Sequence, residues 1–303
     1  MKRNLLLCFD AFGTLFRIKQ PIERQYGDVA RRQFGLATDV SDSQLRTAFR
    51  TAFKQQSRAH PNYGRWTSGM GATAWWTQVI EETFRPFVET VPPGLAPQLL
   101  ERFASSEGYT MDERLPRLMR SLKERQSAYG RIVVGVITNS DDRVPGILSS
   151  FGLRVSPLRY GKETTVSPSP STYDIDFHCM SYDAGVEKPD PAIFRAAEEL
   201  LPRVGGVDAD ADADAGPAHW DKVYVGDEAP RDVTGAHAAG WNAVLVECEP
   251  AGENGNFVVR TLGDLPPQPL GRLFGAPSDA VVVGVDSAAS FVEWLLKVEG
   301  DSP

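Results

Sequence analysis

The sequence of 303 residues is poor in several things, and each shortage excludes a class of protein. It has only three cysteines, Cys8, Cys179 and Cys248, far apart and with no C-x-x-C pair. That removes a disulfide scaffold and the usual thiolate zinc site. Each cysteine lies in or beside an apolar run, as a small buried core residue of a reducing compartment does. The four histidines, His60, His178, His219 and His237, are scattered, and His237 reads as a packing residue. There is no basic excess: 32 Lys and Arg stand against 40 Asp and Glu, for a net charge of -8. No basic stripe is present either, so nucleic acid is not an expected partner. Long apolar runs are missing too. Leu5–Phe9 stops at Asp10, short of the ~7–15 residues of a signal h-region, and nothing approaches the ~18 residues of a membrane span. The expectation is a protein with no membrane partner, cytoplasmic, with nuclear residence left open. No G-x-G-x-x-G follows a strand, and neither G-x-x-x-x-G-K-[ST] nor G-x-S-x-G occurs, which leaves a dinucleotide cofactor, a P-loop and a nucleophile elbow without support.

What is present is ordinary globular text, 42% hydrophobic, and a chain long enough for about two domains. Leu5–Phe9 reads as a strand buried on both faces. Residues 22 to about 118 read as helices. Ser41 and Gln44 make a capping box, followed by Leu45, Ala48, Phe49, Ala52 and Phe53 at helical spacing. Ala72–Phe84 and Leu95–Phe103 continue the pattern. Trp66, Trp75 and Trp76 lie close together there, more in keeping with a core than with a ligand cage. Strand text then resumes at Ile132–Ile137, Phe177–Ser181, Lys222–Val225 and Ala243–Val246. Between these strands lie helices, one of them Pro191–Leu201 with Asp190 as N-cap, another Arg231–Ala239 stopped by Gly240. Alternation of this kind predicts an α/β fold with a parallel sheet and right-handed crossovers. The expected organisation is a core from 1–17 and 118–250, a helical bundle inserted at 18–117, and an extension at 251–303 carrying a strand (Ala280–Val285) and a helix (Ala288–Val298). Lys162–Thr172 and Gly205–Gly216 read as surface insertions. The D-A repeat of the second lacks the glycine and closing glutamate of an EF-hand.

The chemistry falls at the carboxyl ends of the strands, where open α/β sheets bind ligands. Asp10 ends the first strand and Thr138 the second. Lys188 precedes a helix, and Asp227 and Asp232 follow a later strand. Three carboxylates in one cleft repel one another and any anionic substrate. A hard cation such as Mg²⁺ removes both problems. Lys188 adds a point charge suited to a phosphoryl oxygen, Thr138 adds a hydroxyl, and Asp10 is left as a nucleophile.

Four motifs carry a resemblance: D-A-F-G-T-L at Asp10–Leu15, Thr138-Asn139, E-K-P-D-P at Glu187–Pro191, and G-D-E-A-P-R-D at Gly226–Asp232. Together they resemble the haloacid dehalogenase (HAD) superfamily, and the inserted bundle sits where that superfamily carries a helical cap. The bundle text A-F-K-Q-Q-S…P-N-Y-G…W-W-T-Q-V-I-E-E-T-F is similar to one subgroup of it. The resemblance implies a Rossmann-like core, a hydrolase acting on a small-molecule substrate, and Mg²⁺ as cofactor. It implies Asp10 as nucleophile, with Asp10, the Phe12 carbonyl, Asp227 and Asp232 as metal ligands. Thr138 and Lys188 would hold the transferring group, with Asn139 nearby.

One position departs from the pattern. Phosphatases of the superfamily resemble D-x-D-G-T, with the second Asp as acid/base, and here that position is Phe12. A positioned acid/base is worth ~10²–10⁴-fold in rate, or roughly 3–5 kcal/mol. An aromatic there resembles the 2-haloacid dehalogenases, which need no metal but lack the G-D-x-x-x-x-D that Gly226, Asp227 and Asp232 keep. Three readings follow: a Mg²⁺-dependent hydrolase restricted to good leaving groups such as aryl or acyl phosphates, a metal-independent dehalogenase, and a binding protein that keeps the fold.

Overall fold

The fold comes from a computed structural model, which describes residues 3–37, 39–124, 129–164, 172–204, 220–247, 257–264, 268, 270–274 and 281–298. Cys248, His219, the D-A repeat and most of the Ser/Thr/Pro insertion lie outside the described residues.

Two compact units form. One comprises Met1–Phe16, Met111–Ser140 and Gly152–Pro303, the other Arg17–Thr110 and Asp141–Phe151. The first unit holds a seven-stranded sheet. Its strands are β1 (Asn4–Phe9), β4 (Ile132–Thr138), β5 (Phe177–Met180), β6 (Trp220–Gly226), β7 (Asn242–Val246), β8 (Val258–Thr261) and β9 (Val281–Val285), in the order β5-β4-β1-β6-β7-β9-β8. Every pairing is parallel. The central strands are buried on both faces, which is why they read as continuous apolar runs. Leu5–Phe9 is wholly buried, and Val133–Ile137 nearly so.

Around the sheet lie α5 (Leu115–Glu124), α7 (Ser181–Ala184), α8 (Ala192–Glu198), α9 (Thr234–Ala238), α10 (Leu270–Leu273) and α11 (Ala288–Val298). Phe194 on α8 meets Tyr224 edge-on at 5.0 Å and Trp241 at 5.5 Å. The helix expected at Pro191–Leu201 is α8 followed by a 3-10 turn, Leu201–Arg203. Asp190 accepts from the Ala192 amide at 2.8 Å, while Pro191 is the capping residue. The one expected at Arg231–Ala239 begins as a π-turn, Ala229–Val233, before α9.

Three findings differ from the expected layout, one being that residues 141–151, read above as part of the core, go with the helical unit. Residues set apart as an extension supply β8 and β9, the latter pairing with both β7 and β8. β9, valine at every position but Gly284, lies between those two strands and is buried along its length. Residues 111–117, assigned above to the bundle, go with the sheet unit instead. Leu115, Met119 and Leu122 form a buried stripe on α5, and α5 packs on α11.

The second unit is helical: α1 (Ile22–Phe34), α2 (Asp42–Ala59), α3 (Ala72–Phe84), α4 (Leu95–Arg102) and α6 (Val144–Ser150), with a short ribbon of β2 (Arg17–Ile18) and β3 (Tyr109–Thr110). The Ser41–Gln44 capping box is formed, with Gln44 N donating to Ser41 Oγ at 3.3 Å and Ser41 N to Gln44 Oε1 at 2.9 Å. Tyr26 is the hub of its core, stacked on Phe84 at 6.0 Å and edge-on to Phe49 and Phe103 at 5.6 Å. Trp75 is buried, whereas Trp66 is 65% exposed, so the three tryptophans do not form one core cluster. Trp76 donates to Asp141 at 2.8 Å beneath the Arg143 guanidinium. No helix among the described residues is long and apolar enough to cross a membrane.

Candidate active site

β1 and β6 are neighbours in the sheet and end together, Phe9 opposite Val225. The turn after β1 and the turn after β6 therefore leave the sheet side by side. The first presents Asp10, the second Asp227 and Asp232. One carboxylate oxygen from each lies within 4.8 Å of the other two. Asp10 and Asp232 are buried and Asp227 is half-buried.

Lys188 reaches this cluster from the loop before α8. Its Nζ is 2.7 Å from Asp232 Oδ1 and 3.0 Å from Asp10 Oδ1. Burial alone would push the ammonium down, but the Asp10 and Asp232 carboxylates outweigh it and hold Lys188 above its ordinary range. Burial pushes Asp232 up against the opposing pull of Lys188. Asp227 is pushed up to about 6, first by burial and then by Asp10 and Asp232, against the hydrogen bond it accepts from Thr14. Three carboxylates and one ammonium leave a formal charge of -2 when all are ionised.

The second ring of contacts explains how the cluster is held. Thr14 Oγ1 donates to Asp227 Oδ1 at 2.9 Å, and Glu228 N donates to Asp232 Oδ2 at 2.8 Å. Gly13 has φ +84°, and a Cβ there would lie 2.0 Å from Asp227 Oδ2. Only glycine lets that backbone and that carboxylate coexist. Asn139 uses both ends of its amide on the Lys188 backbone, donating to its carbonyl at 3.0 Å and accepting from its amide at 2.7 Å. Its side chain therefore positions Lys188. Thr138 ends β4, fully buried and next along the chain to Asn139. Phe12 faces apolar company, its ring edge-on to Phe16 at 4.8 Å.

Tyr224 was not singled out in the sequence, where it reads as a core aromatic of β6. It is fully buried, accepts from Lys188 Nζ at 2.8 Å and donates to the Ile137 carbonyl at 2.7 Å. It thus ties the lysine to the strand that carries Thr138. Only its hydroxyl, alone in a Val-x-Val-Gly-Asp strand, hinted at a polar task. Thr14 and Gly13 were visible as parts of D-A-F-G-T-L, but no role follows for them without the neighbouring turn. His237 is half-buried on α9, and its burial pushes its pKa down.

The donor set can be tested for a cation on its own chemistry. All three groups are carboxylates, the hard oxygen ligands that Mg²⁺ favours. Asp10 Oδ1 is buried, with Lys188 Nζ at 3.0 Å as its cationic neighbour and the Asp227 and Asp232 carboxylates within 4.8 Å. A divalent ion would neutralise the residual charge of the cluster. The residues fit.

A family model for haloacid dehalogenase-like hydrolase matches residues 5–240. The chain belongs to the haloacid dehalogenase-like hydrolases. Among HAD relatives, haloacid dehalogenase-like hydrolase domain-containing protein 3 of Bos taurus is 30% identical over 248 residues, covering 80% of this chain and 81% of that one. It represents the subgroup that the bundle text resembles. Two solved HAD structures share the fold. A 2-haloacid dehalogenase from Pseudomonas syringae has a TM-score of 0.53 at 19% identity, covering 97% of this chain and 98% of that one. The HAD-hydrolase YfnB from Bacillus subtilis, bound to magnesium, has a TM-score of 0.51 at 15% identity, covering 97% and 100%. This chain is thus a HAD-like hydrolase with an α/β, Rossmann-like core.

Proposed function

We propose that this hydrolase requires a divalent cation, Mg²⁺ by its donor set, and acts on a small phosphorylated substrate through Asp10 as nucleophile. The observation that carries this is the convergence of Asp10, Asp227 and Asp232, with one carboxylate oxygen of each within 4.8 Å of the other two and only one ammonium, Lys188, against three carboxylates. Asp10, Asp227 and Asp232 would hold the cation, with the Phe12 carbonyl as a further ligand. Bound there, it would supply charge neutralisation for the oxygens of the transferring group.

The chain's own residues do the rest. Lys188 and Thr138 hold phosphoryl oxygens, Lys188 as a point charge and Thr138 as a hydroxyl donor. A carboxylate oxygen of Asp10 bonds to phosphorus, the bond from phosphorus to the leaving oxygen breaks, and that oxygen keeps the electron pair. Water then attacks the phosphorus, the Asp10 oxygen–phosphorus bond breaks, and phosphate leaves carrying both protons of the water. Phe12 cannot protonate the leaving oxygen. The substrates served best are those whose leaving group departs as a stable anion, aryl and acyl phosphates among them. Cys8 and Cys179 are buried free thiols, in keeping with a cytoplasmic enzyme of small molecules.

A second reading, a metal-independent dehalogenase, is favoured by one observation: Lys188 already offers Asp10 a cation at 3.0 Å. Phosphate release from an aryl phosphate, with Mg²⁺ and with EDTA, separates the two. Turnover that needs both Mg²⁺ and Asp10, and is absent in Asp10→Asn, is the expected result. Halide release from a 2-haloacid in EDTA, with no phosphate release, would give the second reading instead.

A further inference from the structure

The chain leaves β4 through Thr138-Asn139-Ser140-Asp141. Thr138 and Asn139 serve the site described above. The Ser140 carbonyl is held by the Tyr182 amide at 3.1 Å and the Ser181 hydroxyl at 3.4 Å. Asp141, the next residue, opens the segment Asp141–Phe151 of the helical unit, and its side chain is wholly buried.

A dry carboxylate needs partners, and this one has them in full. Arg143 gives its backbone amide at 3.1 Å and both prongs of its guanidinium at 2.8 Å. Trp76 on α3 gives its indole N–H at 2.8 Å, and the Tyr63 hydroxyl bonds the same carboxylate. A carboxylate has about four lone-pair sites, so none is left for a ligand or a proton. Burial alone would push Asp141 up, but Arg143 and Trp76 hold it below the ordinary carboxylate range. The Arg143 guanidinium lies in turn over the Trp76 ring, 4.5 Å from its centre. A buried ion pair is a weak source of stability but costly to break, so what it secures is one geometry.

The helical unit meets this carboxylate with a strained turn. Asn62, Tyr63 and Gly64 all lie in the left-handed region, at φ 46°, 57° and 67°. A bulky tyrosine takes that conformation only where its surroundings over-determine it. Here Trp75 meets its ring edge-on at 5.2 Å and Asp141 takes its hydroxyl. Asn139 is two peptide units from Asp141, at most about 7 Å by chain geometry. Its amide holds the Lys188 backbone at 3.0 and 2.7 Å.

We propose that Asp141 is a positioning residue. Held by Tyr63, Trp76 and Arg143, it fixes the exit of β4, so that Asn139 keeps Lys188 where a phosphoryl oxygen needs it. Its use in turnover rests on the hydrolase reading above, whereas the mechanical link from Asp141 to Asn139 does not.

The test has two arms, both on the full chain. In the first, indole N–H signals are followed by NMR. The Trp76 signal, assigned by its loss in Trp76→Phe, should move in Asn139→Ala, which removes none of the hydrogen bonds of Trp76. Trp241, whose indole donates to Glu198 at 2.7 Å, is the control and should stay in place. In the second arm, phenyl phosphate turnover is measured with Mg²⁺. Asp141→Asn should lower kcat roughly tenfold or more, the effect of a reacting group held slightly out of place, and leave Mg²⁺ affinity as in the wild type. In an Asn139→Ala background the same substitution should cost nothing further. Trp76→Phe keeps the Arg143 pair and should lower kcat in the same direction, by less. It stands in for Asp141→Asn if circular dichroism shows that variant unfolded. A Trp76 signal unmoved by Asn139→Ala, or losses from Asp141→Asn and Asn139→Ala that multiply, would overturn the proposal. A wild type without turnover whose Trp76 signal moves in Asn139→Ala would sink the hydrolase reading and leave the link standing. Turnover with an unmoved Trp76 signal would do the reverse.

Discussion

Replacing Gly13 by alanine probes the site most sharply, because the structure gives both components of the cost. The backbone at Gly13 has φ +84°, and a non-glycine residue in that left-handed region costs roughly 1–2 kcal/mol. The added methyl would also meet Asp227 Oδ2 at 2.0 Å and Cγ at 2.4 Å, so the carboxylate must move. Moving it breaks the Thr14–Asp227 hydrogen bond at 2.9 Å, a bond to a charged group worth about 1.5–3 kcal/mol. The sum is roughly 3–5 kcal/mol. Gly35 is the control: it has φ +72° and open space around its would-be Cβ, so Gly35→Ala incurs only the backbone term. Urea denaturation of the two variants should differ by about 1.5–3 kcal/mol. In an Asp227→Ala background that excess should vanish, since the carboxylate is gone. Equal losses for Gly13→Ala and Gly35→Ala would refute the reasoning, and so would an excess that persists without Asp227.

Three further outcomes follow from the same contacts. Lys188→Met leaves Asp10 and Asp232 buried without their counter-charge, and denaturation should show a loss of about 3–5 kcal/mol, partly restored by Mg²⁺. Tyr224→Phe removes the link between Lys188 and the Ile137 carbonyl, and the orphaned buried carbonyl should cost about 1–3 kcal/mol in the same assay. His178 is buried in β5 beside Arg159, and burial pushes its pKa down to about 4. Below its ordinary value the unfolded chain takes up a proton that the folded chain refuses. This contribution to stability is therefore full above pH ~6.5 and is lost as pH falls toward 4, by roughly 3 kcal/mol. Comparing the pH profiles of wild type and His178→Gln isolates it, and parallel profiles would contradict it.

The elements that sequence made legible are those whose residues answer to a single demand. β1 and β4 are buried on both faces, so their apolar runs announce them. α3 and α11 carry one apolar stripe each and have the bounds read from the sequence, Ala72–Phe84 and Ala288–Val298. The strand β8 was missed because it is short and mostly exposed, so its residues follow no buried pattern. At the site, Asp10 and Asp227 directly follow β1 and β6, Asp232 lies in the turn beyond β6 and Lys188 in the loop before α8, each within a short motif whose chemistry is visible without coordinates. What Asn139 and Tyr224 do was hidden, because each acts on a residue distant in sequence: Asn139 on the Lys188 backbone, Tyr224 across β1 to Ile137. The need for glycine at position 13 likewise depends on a carboxylate more than two hundred residues away along the chain.

The central claim is that Asp10, Asp227 and Asp232 together hold a divalent cation. Calorimetric titration of the apo-protein with Mg²⁺ tests it without any substrate. The account predicts one site per chain in the wild type, weakened at least tenfold in Asp227→Asn and in Asp10→Asn. A wild type that takes up no Mg²⁺, or an Asp227→Asn variant that binds it as tightly as the wild type, would contradict it.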